Sequence, residues 1–175
     1  MISLQLRQAL EARLAANVER FHTHPIIKRE TVGHHSFNVA NLLMIMTNGQ
    51  ASAKLLFAGL WHDMGEPKVG DIPSPVKVGL PPEVLKHIDL VEERAIRAIH
   101  PYADVELDPE ERRLLSLADK IDGLLKCREE LRMGNKDIIP VGERYVSYIM
   151  RLTDDHESCR YFATECIHAF REEYL

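Results

Sequence analysis

Apolar residues recur at intervals of three and four along most of this chain, a spacing typical of amphipathic α-helices. The first such pattern places Leu6, Leu10 and Leu14 on one face. No pair of alternating apolar and polar runs around a turn indicates a β-hairpin. The sequence therefore predicts a single all-α domain over residues 1–175, a bundle of about six or seven helices. The helical patterns cover residues 2–21, 36–47, 51–64, 81–100, 108–134, about 140–153 and about 155–173.

Capping residues and breakers divide these patterns. Asp108 is a favoured N-cap residue, Pro109 suits a first helical turn, and Gly134 indicates the end of the same helix. Residues 67–81 contain four prolines and two glycines, which predicts an irregular segment without a regular helix. A second irregular segment is predicted at residues 22–35, between the first two helices.

The composition excludes some classes of function. The chain has 22 basic and 27 acidic residues, so its net charge of -5 does not attract nucleic acid or an anionic membrane surface. An anionic substrate must therefore be bound by local Lys and Arg side chains. Three cysteines without CxxC spacing predict no disulfide framework and a reducing compartment. The charged N-terminal helix is expected to be neither a signal peptide nor a membrane span.

The segment GLWHDMGE at residues 59–66 ends an apolar helical pattern with His62 and Asp63 side by side. Buried charges are costly unless they are paired or bound to a metal. An imidazole and a carboxylate together suit divalent ions such as Mn, Fe, Co, Ni or Zn. Because neighbouring helical residues point about 100° apart, both side chains can reach one ion only near a helix end or when bent. Such a site needs further ligands.

Residues elsewhere in the chain are candidates for those ligands. Asp119 lies in an apolar helical segment, so its carboxylate must find either a metal or a Lys or Arg partner. Asp122, one turn later, shares that face or is solvated. His34 and His35 lie at the start of the second predicted helix. They are either metal ligands or surface and capping residues. Each of these features alone is a weak indication of a metal site.

The order of these residues, histidine, then His-Asp, then aspartate, is more specific than any one of them. It resembles that of the HD-domain metal-dependent phosphohydrolases. The flanking residues are similar to the 5′-deoxynucleotidase branch of that family and to the small phage-encoded deoxyadenosine triphosphohydrolases. The resemblance covers about residues 18–130 and is carried by Arg20-Phe21, ETVGHHS at 30–36, HDMGE at 62–66, GDIPSPVK at 70–77 and ADKID at 118–122.

This resemblance implies an HD-domain helical bundle that binds one divalent metal ion, with Co²⁺, Mn²⁺, Mg²⁺, Zn²⁺ and Ni²⁺ as candidates. It selects His35 rather than His34, which occupies a position where the family usually has glutamate and has no assigned role. The metal ligands that the resemblance implies are His35, His62, Asp63 and Asp119.

Glu66 is the candidate general acid or base. It follows His62 by four residues and Asp63 by three, which places all three on one face if the helix continues. From there its carboxyl group can reach a water beside the metal without binding the metal, and the resemblance implies the same role. A capping or solvated glutamate is the alternative.

Cationic residues near the His-Asp pair are candidates for phosphate binding. Arg20 and Lys77 occupy positions that match the family, and both would neutralise phosphoryl oxygens. Lys68, two residues after Glu66, would contact a longer phosphate chain. The alternative for each of these residues, taken alone, is a solvated surface charge, because most Lys and Arg side chains are exposed.

The GDIPSPVK loop is the candidate sugar contact. In the resembled family the position of Asp71 meets the deoxyribose, although a Gly-Asp pair also suits a plain turn. Phe21, which replaces the usual tryptophan of the family, and Ile72 would pack against the sugar. Pro73 stiffens the loop.

Together these residues predict a divalent-metal phosphohydrolase of 2′-deoxynucleotides. The short chain and Lys68 favour a dATP triphosphohydrolase, which releases deoxyadenosine and tripolyphosphate. The alternative is a 5′-deoxynucleotidase, which releases orthophosphate from a monophosphate. A non-catalytic nucleotide-binding HD module is less favoured because the ligand positions and Glu66 are intact. A cyclic-nucleotide phosphodiesterase is less favoured because Arg20 and the GDIPSPVK loop fit a mononucleotide pocket.

The expected partner is a deoxynucleotide substrate, and neither nucleic acid nor a membrane is expected. The family also implies a homo-oligomer. Tyr161, Phe162 and Phe170 in the last helix are candidate interface residues, although core packing explains them equally well. The expected location is the cytoplasm, or the host cytoplasm if the protein is phage-encoded.

Overall fold

The computed structural model describes residues 2–100, 105–154 and 157–175. Over these residues the chain forms eight α-helices and one small sheet, which confirms the predicted all-α class. Within the same ranges, no helix combines the length and apolar composition that crossing a membrane requires. The elements are α1 Leu4–Ala15, β1 Glu19–Arg20, β2 Glu30–Thr31, α2 Val32–Met46, α3 Ala53–Trp61, a 3₁₀-helix Glu66–Lys68, α4 Ser74–Gly79, α5 Pro82–Ile99, α6 Pro109–Arg132, a 3₁₀-helix Lys136–Ile138, α7 Ile139–Thr153 and α8 Glu157–Arg171.

Helix α6 is the central element of the bundle. It packs against α2, α3, α7 and α8, and its residues Leu117, Ile121 and Leu124 are buried in the core. Its start is the predicted one, because the Asp108 carboxylate accepts a hydrogen bond from the Glu111 N–H at 2.9 Å and the Glu111 carboxylate accepts one from the Asp108 N–H at 3.1 Å. This reciprocal capping box stabilises the first turn of the helix that carries Asp119 and Asp122.

A short β-hairpin begins at the end of the first predicted helix, residues 2–21, and continues into residues 22–35, which were predicted to be irregular. Strands β1 and β2 pair antiparallel, with Glu19 opposite Thr31 and Arg20 opposite Glu30. Two residues per strand are too few to produce an alternating pattern, so periodicity does not reveal this pairing. The hairpin leads directly into α2, which begins earlier than predicted.

The prediction that residues 67–81 contain no regular helix is wrong for their second half. Helix α4 runs from Ser74 to Gly79 and begins directly after Pro73. Pro75 lies in its first turn, where the missing N–H has no intrahelical partner to lose. The prolines therefore start this helix instead of preventing it.

The two terminal helices differ in how they use their apolar residues. In α8, Phe170 is fully buried and Phe162 is partly buried against the core, so core packing explains both, whereas Tyr161 is 74% exposed. Helix α1 packs against α5 and the 3₁₀-helix Glu66–Lys68. Its apolar stripe remains largely exposed, at Leu6, Leu10 and Leu14.

A buried ion pair attaches the hairpin connector to α6. Glu130 accepts hydrogen bonds from the backbone N–H groups of Ile27 at 2.7 Å and Lys28 at 3.0 Å, and from Lys126 Nζ at 2.9 Å. Lys126 Nζ also donates to the carbonyl of Lys28 at 2.6 Å. Burial alone would raise the pKa of Glu130, but hydrogen bonds, first from Asn135 and then from these groups, lower it to about 2. The connector that follows β1 is thereby held in place.

Replacing Glu130 with alanine is expected to destabilise the fold by about 3 kcal/mol or more, because Lys126 would stay buried without its partner. Urea unfolding followed by circular dichroism measures the change. The matched control is Glu19→Ala, which removes an exposed ion pair to Arg29 and should cost under about 1 kcal/mol. Equal losses of stability in the two variants would contradict the role of Glu130 as the partner of a buried lysine.

The same pair predicts how stability depends on pH. The pKa of Glu130 is depressed from 4.5 to about 2 in the folded protein, so its contribution is complete above pH 4.5 and is lost as the pH falls toward 2. The stability difference between the wild type and Glu130→Gln should therefore shrink over that interval. A difference that stays constant from pH 6 to about pH 2 would contradict this prediction.

Candidate active site

Helix α3 ends at Trp61, and its end brings His62 and Asp63 to one point. The N–H of His62 still donates to the carbonyl of Ala58 at 2.9 Å, after which the chain turns into the 3₁₀-helix Glu66–Lys68. A continuous helix would direct the two adjacent side chains about 100° apart. The helix end that the His-Asp pair requires is therefore present.

Four side chains bring metal-ligating atoms together around the buried imidazole of His35. His35 Nε2 lies 3.2 Å from His62 Nε2, 3.4 Å from Asp63 Oδ2 and 3.3 Å from Asp119 Oδ1. His62 Nε2 lies 3.5 Å from Asp63 Oδ2. A divalent ion bound at about 2.1 Å holds its ligand atoms about 3.0–3.5 Å apart. His35, His62 and Asp63 place ligand atoms within 4.8 Å of one another, whereas Asp119 is at metal spacing from His35. We call the four residues that the resemblance selects the four-donor cluster.

The remaining ring nitrogens of both histidines already have partners. His35 Nδ1 lies 2.6 Å from Asp122 Oδ2, and His62 Nδ1 lies 2.9 Å from the carbonyl of Gly59. When each neutral imidazole donates from Nδ1 to its acceptor, its lone pair is on Nε2, and the two Nε2 atoms lie 3.2 Å apart. Only a proton or another cation satisfies two acceptors in that arrangement. The donor set therefore fits a divalent metal ion.

The electrostatics of the cluster favour positive charge. Burial lowers the pKa of His35, but hydrogen bonds to Asp119 and Asp122 outweigh it and raise the pKa to about 9. Burial raises the pKa of Asp63 and Asp119, but nearby cationic groups outweigh it and hold both below their usual range. Both carboxylates are therefore ionised at neutral pH and offer negative charge to a cation.

Two cationic side chains border the cluster. Arg20 is buried, and its Nη1 lies 2.9 Å from Asp63 Oδ2 while its Nε lies 3.3 Å from Glu30 Oε2. Lys120 Nζ lies 2.5 Å from Asp119 Oδ2. Arg20 was predicted from its position, whereas Lys120 was not. Both place positive charge beside carboxylates of the cluster, where a phosphate would also be neutralised.

Glu66 reaches the site by a tight turn. Because α3 does not continue through it, the predicted shared helix face is absent, and its N–H instead donates to the carbonyl of Asp63 at 3.1 Å. The side chain is buried, and among the described residues its Oε2 has no hydrogen-bond partner. Burial, with the charges of Asp63 and Asp71, raises its pKa to about 8. A buried carboxyl group that keeps a proton near neutral pH suits proton transfer.

A pocket opens beside the cluster at Arg20. The rings of Phe21 and Tyr145 lie in its wall, 6.3 Å apart between centroids. Phe21 has a backbone φ of 57°, a left-handed conformation that is rare for an aromatic residue and that concentrates at functional sites. The residues that line the pocket are Arg20, Phe21, Thr23, His24, Asp71, Pro73, Val141, Arg144, Tyr145 and Tyr148.

A family model described as 5′-deoxynucleotidase YfbR-like matches residues 9–170. The chain belongs to the YfbR-like 5′-deoxynucleotidase family. It is 27% identical over 148 residues to the 5′-deoxynucleotidase of Vibrio cholerae serotype O1, an alignment that covers 73% of this chain and 76% of the relative. It is 29% identical over 144 residues to 5′-deoxynucleotidase YfbR of Escherichia coli K12, covering 65% of this chain and 67% of the relative.

The fold agrees with that assignment. An HD-domain phosphohydrolase from Listeria innocua superposes with a TM-score of 0.73, over 97% of this chain and 90% of that chain, at 21% sequence identity. The chain is therefore an HD-domain protein in fold. Membership of the YfbR-like family makes it a hydrolase.

The residues of the GDIPSPVK loop and its neighbour Lys68 lie in different surroundings. Asp71 and Pro73 line the pocket, and Ile72 is half-buried between them. Lys77 Nζ lies 4.0 Å from Glu92 Oε1, and its charge acts on the carboxyl group of Glu66. Lys68 is exposed and lines a separate cleft between α1 and α5. The structure thus brings Lys77 to the site and leaves Lys68 outside it.

Several residues of the site were not anticipated. Asp122 lies three residues after Asp119 on α6, so helical spacing provided a signal, although it did not distinguish a buried partner of His35 from a solvated neighbour. Arg144, Tyr145 and Tyr148 come from α7 and have no motif around them. Only the packing of α7 brings them to the pocket.

The contact between Asp122 and His35 predicts an effect on metal affinity. Asp122→Ala should weaken metal binding about 10–100-fold, because the His35 ring loses the acceptor that fixes its orientation. Titration calorimetry with Mn²⁺ measures the change, and Asp119→Ala should abolish binding. Glu110→Ala, which changes an exposed carboxylate on the same helix, is the control. An unchanged dissociation constant in Asp122→Ala, with helical content preserved, would contradict the prediction.

Proposed function

We propose that the protein is a divalent-metal-dependent 5′-deoxynucleotidase that releases orthophosphate from 2′-deoxynucleoside 5′-monophosphates. The observation that carries the proposal is that Arg20 joins the cluster to the pocket. Its side chain contacts Asp63 of the four-donor cluster and also lines the pocket. A phosphate at the cluster directs its nucleoside into this pocket, which Phe21 and Asp71 line. The relatives named 5′-deoxynucleotidase support the same class of substrate.

The 5′-deoxynucleotidase, the alternative predicted from the sequence, is better supported than the dATP triphosphohydrolase that the short chain and Lys68 favoured. The matching family and the similar relatives carry the name 5′-deoxynucleotidase. The residue-based reason for a triphosphate was Lys68, and this side chain lines a separate cleft with Glu11 and Leu14. Lys77, whose charge acts on Glu66, and Lys120, which contacts Asp119, are the lysines that we propose bind a single phosphate.

The residues of the site divide the chemistry among them. A divalent ion bound by the four-donor cluster would supply a Lewis acid and an activated water. Arg20 and Lys120 stabilise the negative charge on the phosphoryl oxygens. Glu66 holds a proton on its buried carboxyl group and delivers it to the 5′-oxygen of the departing nucleoside. Asp71 accepts a hydrogen bond from a sugar hydroxyl group and orients the nucleoside.

The role of Glu66 predicts a loss of rate without a loss of metal. Glu66→Gln should lower kcat about 10²–10⁴-fold, because the amide cannot transfer the proton. Steady-state release of orthophosphate from dAMP measures kcat, and calorimetry with Mn²⁺ should give an unchanged affinity. Glu83→Gln, at an exposed glutamate on α5, is the matched control. A wild-type kcat in Glu66→Gln would refute the proton-transfer role.

A substrate panel tests the proposed reaction directly. The protein is incubated with dAMP, the other deoxynucleoside monophosphates, dATP, AMP and ATP, each with Mn²⁺, Co²⁺ or Mg²⁺. Phosphorus NMR identifies the product, and orthophosphate from the deoxynucleoside monophosphates is expected. Tripolyphosphate from dATP would restore the triphosphohydrolase interpretation. Metal and nucleotide binding without any product would instead support a non-catalytic module.

We further propose that copies of the chain associate. Exposed apolar side chains are available for such contacts, including Leu6, Leu10 and Leu14 on α1 and Tyr161 on α8. Size-exclusion chromatography with light scattering measures the mass in solution. A monomer over the whole range of protein concentration would overturn this proposal.

A further inference from the structure

Helix α7 supplies a side of the pocket that no sequence motif indicates. Tyr145 and Tyr148, nearly one turn apart on this helix, line the pocket together with Phe21 and Asp71. The planes of the Tyr145 and Phe21 rings are inclined by 51°, with their centroids 6.3 Å apart. These two rings form a continuous apolar surface, which we call the aromatic wall.

The Tyr145 ring is braced against the backbone of α6. A Cβ atom added at Gly123 would lie 2.3 Å from Cζ, 2.4 Å from Cε1 and 2.7 Å from the hydroxyl oxygen of Tyr145. The absence of a side chain at Gly123 therefore lets the far end of the ring rest directly on the helix. Because α6 is the central helix of the core, the ring cannot retreat from the pocket. A ligand must fit the space that the ring leaves.

Tyr145 lines the same pocket as Arg20, which contacts Asp63 of the four-donor cluster, and as Asp71. Burial raises the pKa of its hydroxyl group, and the charges of Arg20, Asp119 and Asp71 act on the same group. Arg20 and Asp119 belong to the phosphate end, whereas Asp71 is the proposed sugar contact. The sugar of a nucleotide that spans these groups must therefore pass beside Tyr145.

We propose that Tyr145, braced on Gly123, excludes a 2′-hydroxyl group and thereby sets the selectivity for 2′-deoxynucleotides. The proposal rests on the proposed function. When Asp71 accepts a hydrogen bond from the 3′-hydroxyl group, the adjacent C2′ meets the aromatic wall. A hydroxyl group pressed against it would lose its water and find no partner.

Kinetic selectivity tests the proposal. The ratio of kcat/KM for dAMP to that for AMP is measured in the wild type, Tyr145→Phe, Tyr145→Leu and Tyr145→Ala. Apolar walls reject an added hydroxyl group about 10²-fold at most, so Tyr145→Ala should lower the ratio about tenfold, chiefly through a higher kcat/KM for AMP. Tyr145→Phe keeps the ring and should keep the ratio. Tyr145→Leu preserves apolar packing on Gly123 and should lower the ratio in part.

The control is Tyr148→Ala, which removes a second ring of the same pocket and should change kcat/KM for both nucleotides equally. Circular dichroism and Mn²⁺ affinity show whether each variant is folded with an intact cluster. An unchanged ratio in a folded Tyr145→Leu or Tyr145→Ala would overturn the proposal. A wild type that does not distinguish dAMP from AMP would overturn it as well.

A binding measurement separates this proposal from the proposed function. Calorimetry with Mn²⁺ present compares dAMP and AMP on Glu66→Gln and on the double variant that adds Tyr145→Leu. If Glu66→Gln binds dAMP more strongly than AMP and the added Tyr145→Leu removes this difference, the role of the aromatic wall is supported. This holds even if the wild type hydrolyses neither nucleotide and the proposed function fails. Equal binding of the two nucleotides by Glu66→Gln, or binding of neither, overturns the wall.

Discussion

The buried imidazole of His35 is the group on which the site depends. Its Nδ1 is hydrogen-bonded to Asp122, and its Nε2 lies 3.2–3.4 Å from side-chain atoms of His62, Asp63 and Asp119. A buried imidazole is costly unless both nitrogens have partners, so α2 and α6 must pack in the register that supplies them. The packing of α2 against α6 therefore brings His35, Asp119 and Asp122 together. The end of α3 then adds two of the donors.

Helix α6 continues this polar arrangement away from the cluster. Asp119, Asp122, Lys126 and Glu130 follow one another at intervals of three and four, so they form a single stripe along a helix whose adjacent faces lie in the core. The first two partner His35, and the last two hold the connector that follows β1. One helix thus fixes both the metal donors and the segment that begins with Phe21.

Sequence reasoning succeeded where the chemistry is local. Adjacent ligands need a helix end, and α3 does end at Trp61. It failed where short elements or distant packing decide the outcome. Strands of two residues show no alternation, and prolines that suggest a break instead begin α4. Lys68 and Lys77 were both predicted to bind phosphate, yet Lys68 lines a separate cleft, whereas the charge of Lys77 acts on the carboxyl group of Glu66.

The order of the histidine, the His-Asp pair and the later aspartate predicts a metal site, because ligand type and helical spacing are properties of short segments. The helical class follows from the same local periodicity. The shape of the pocket beside Arg20 is different, because it depends on elements far apart in the chain. Phe21 follows β1, Gly123 lies on α6 and Tyr145 on α7, and their contact arises only when the helices pack. No pattern of residues along the chain records that distance, so the tertiary structure alone determines which rings line the pocket.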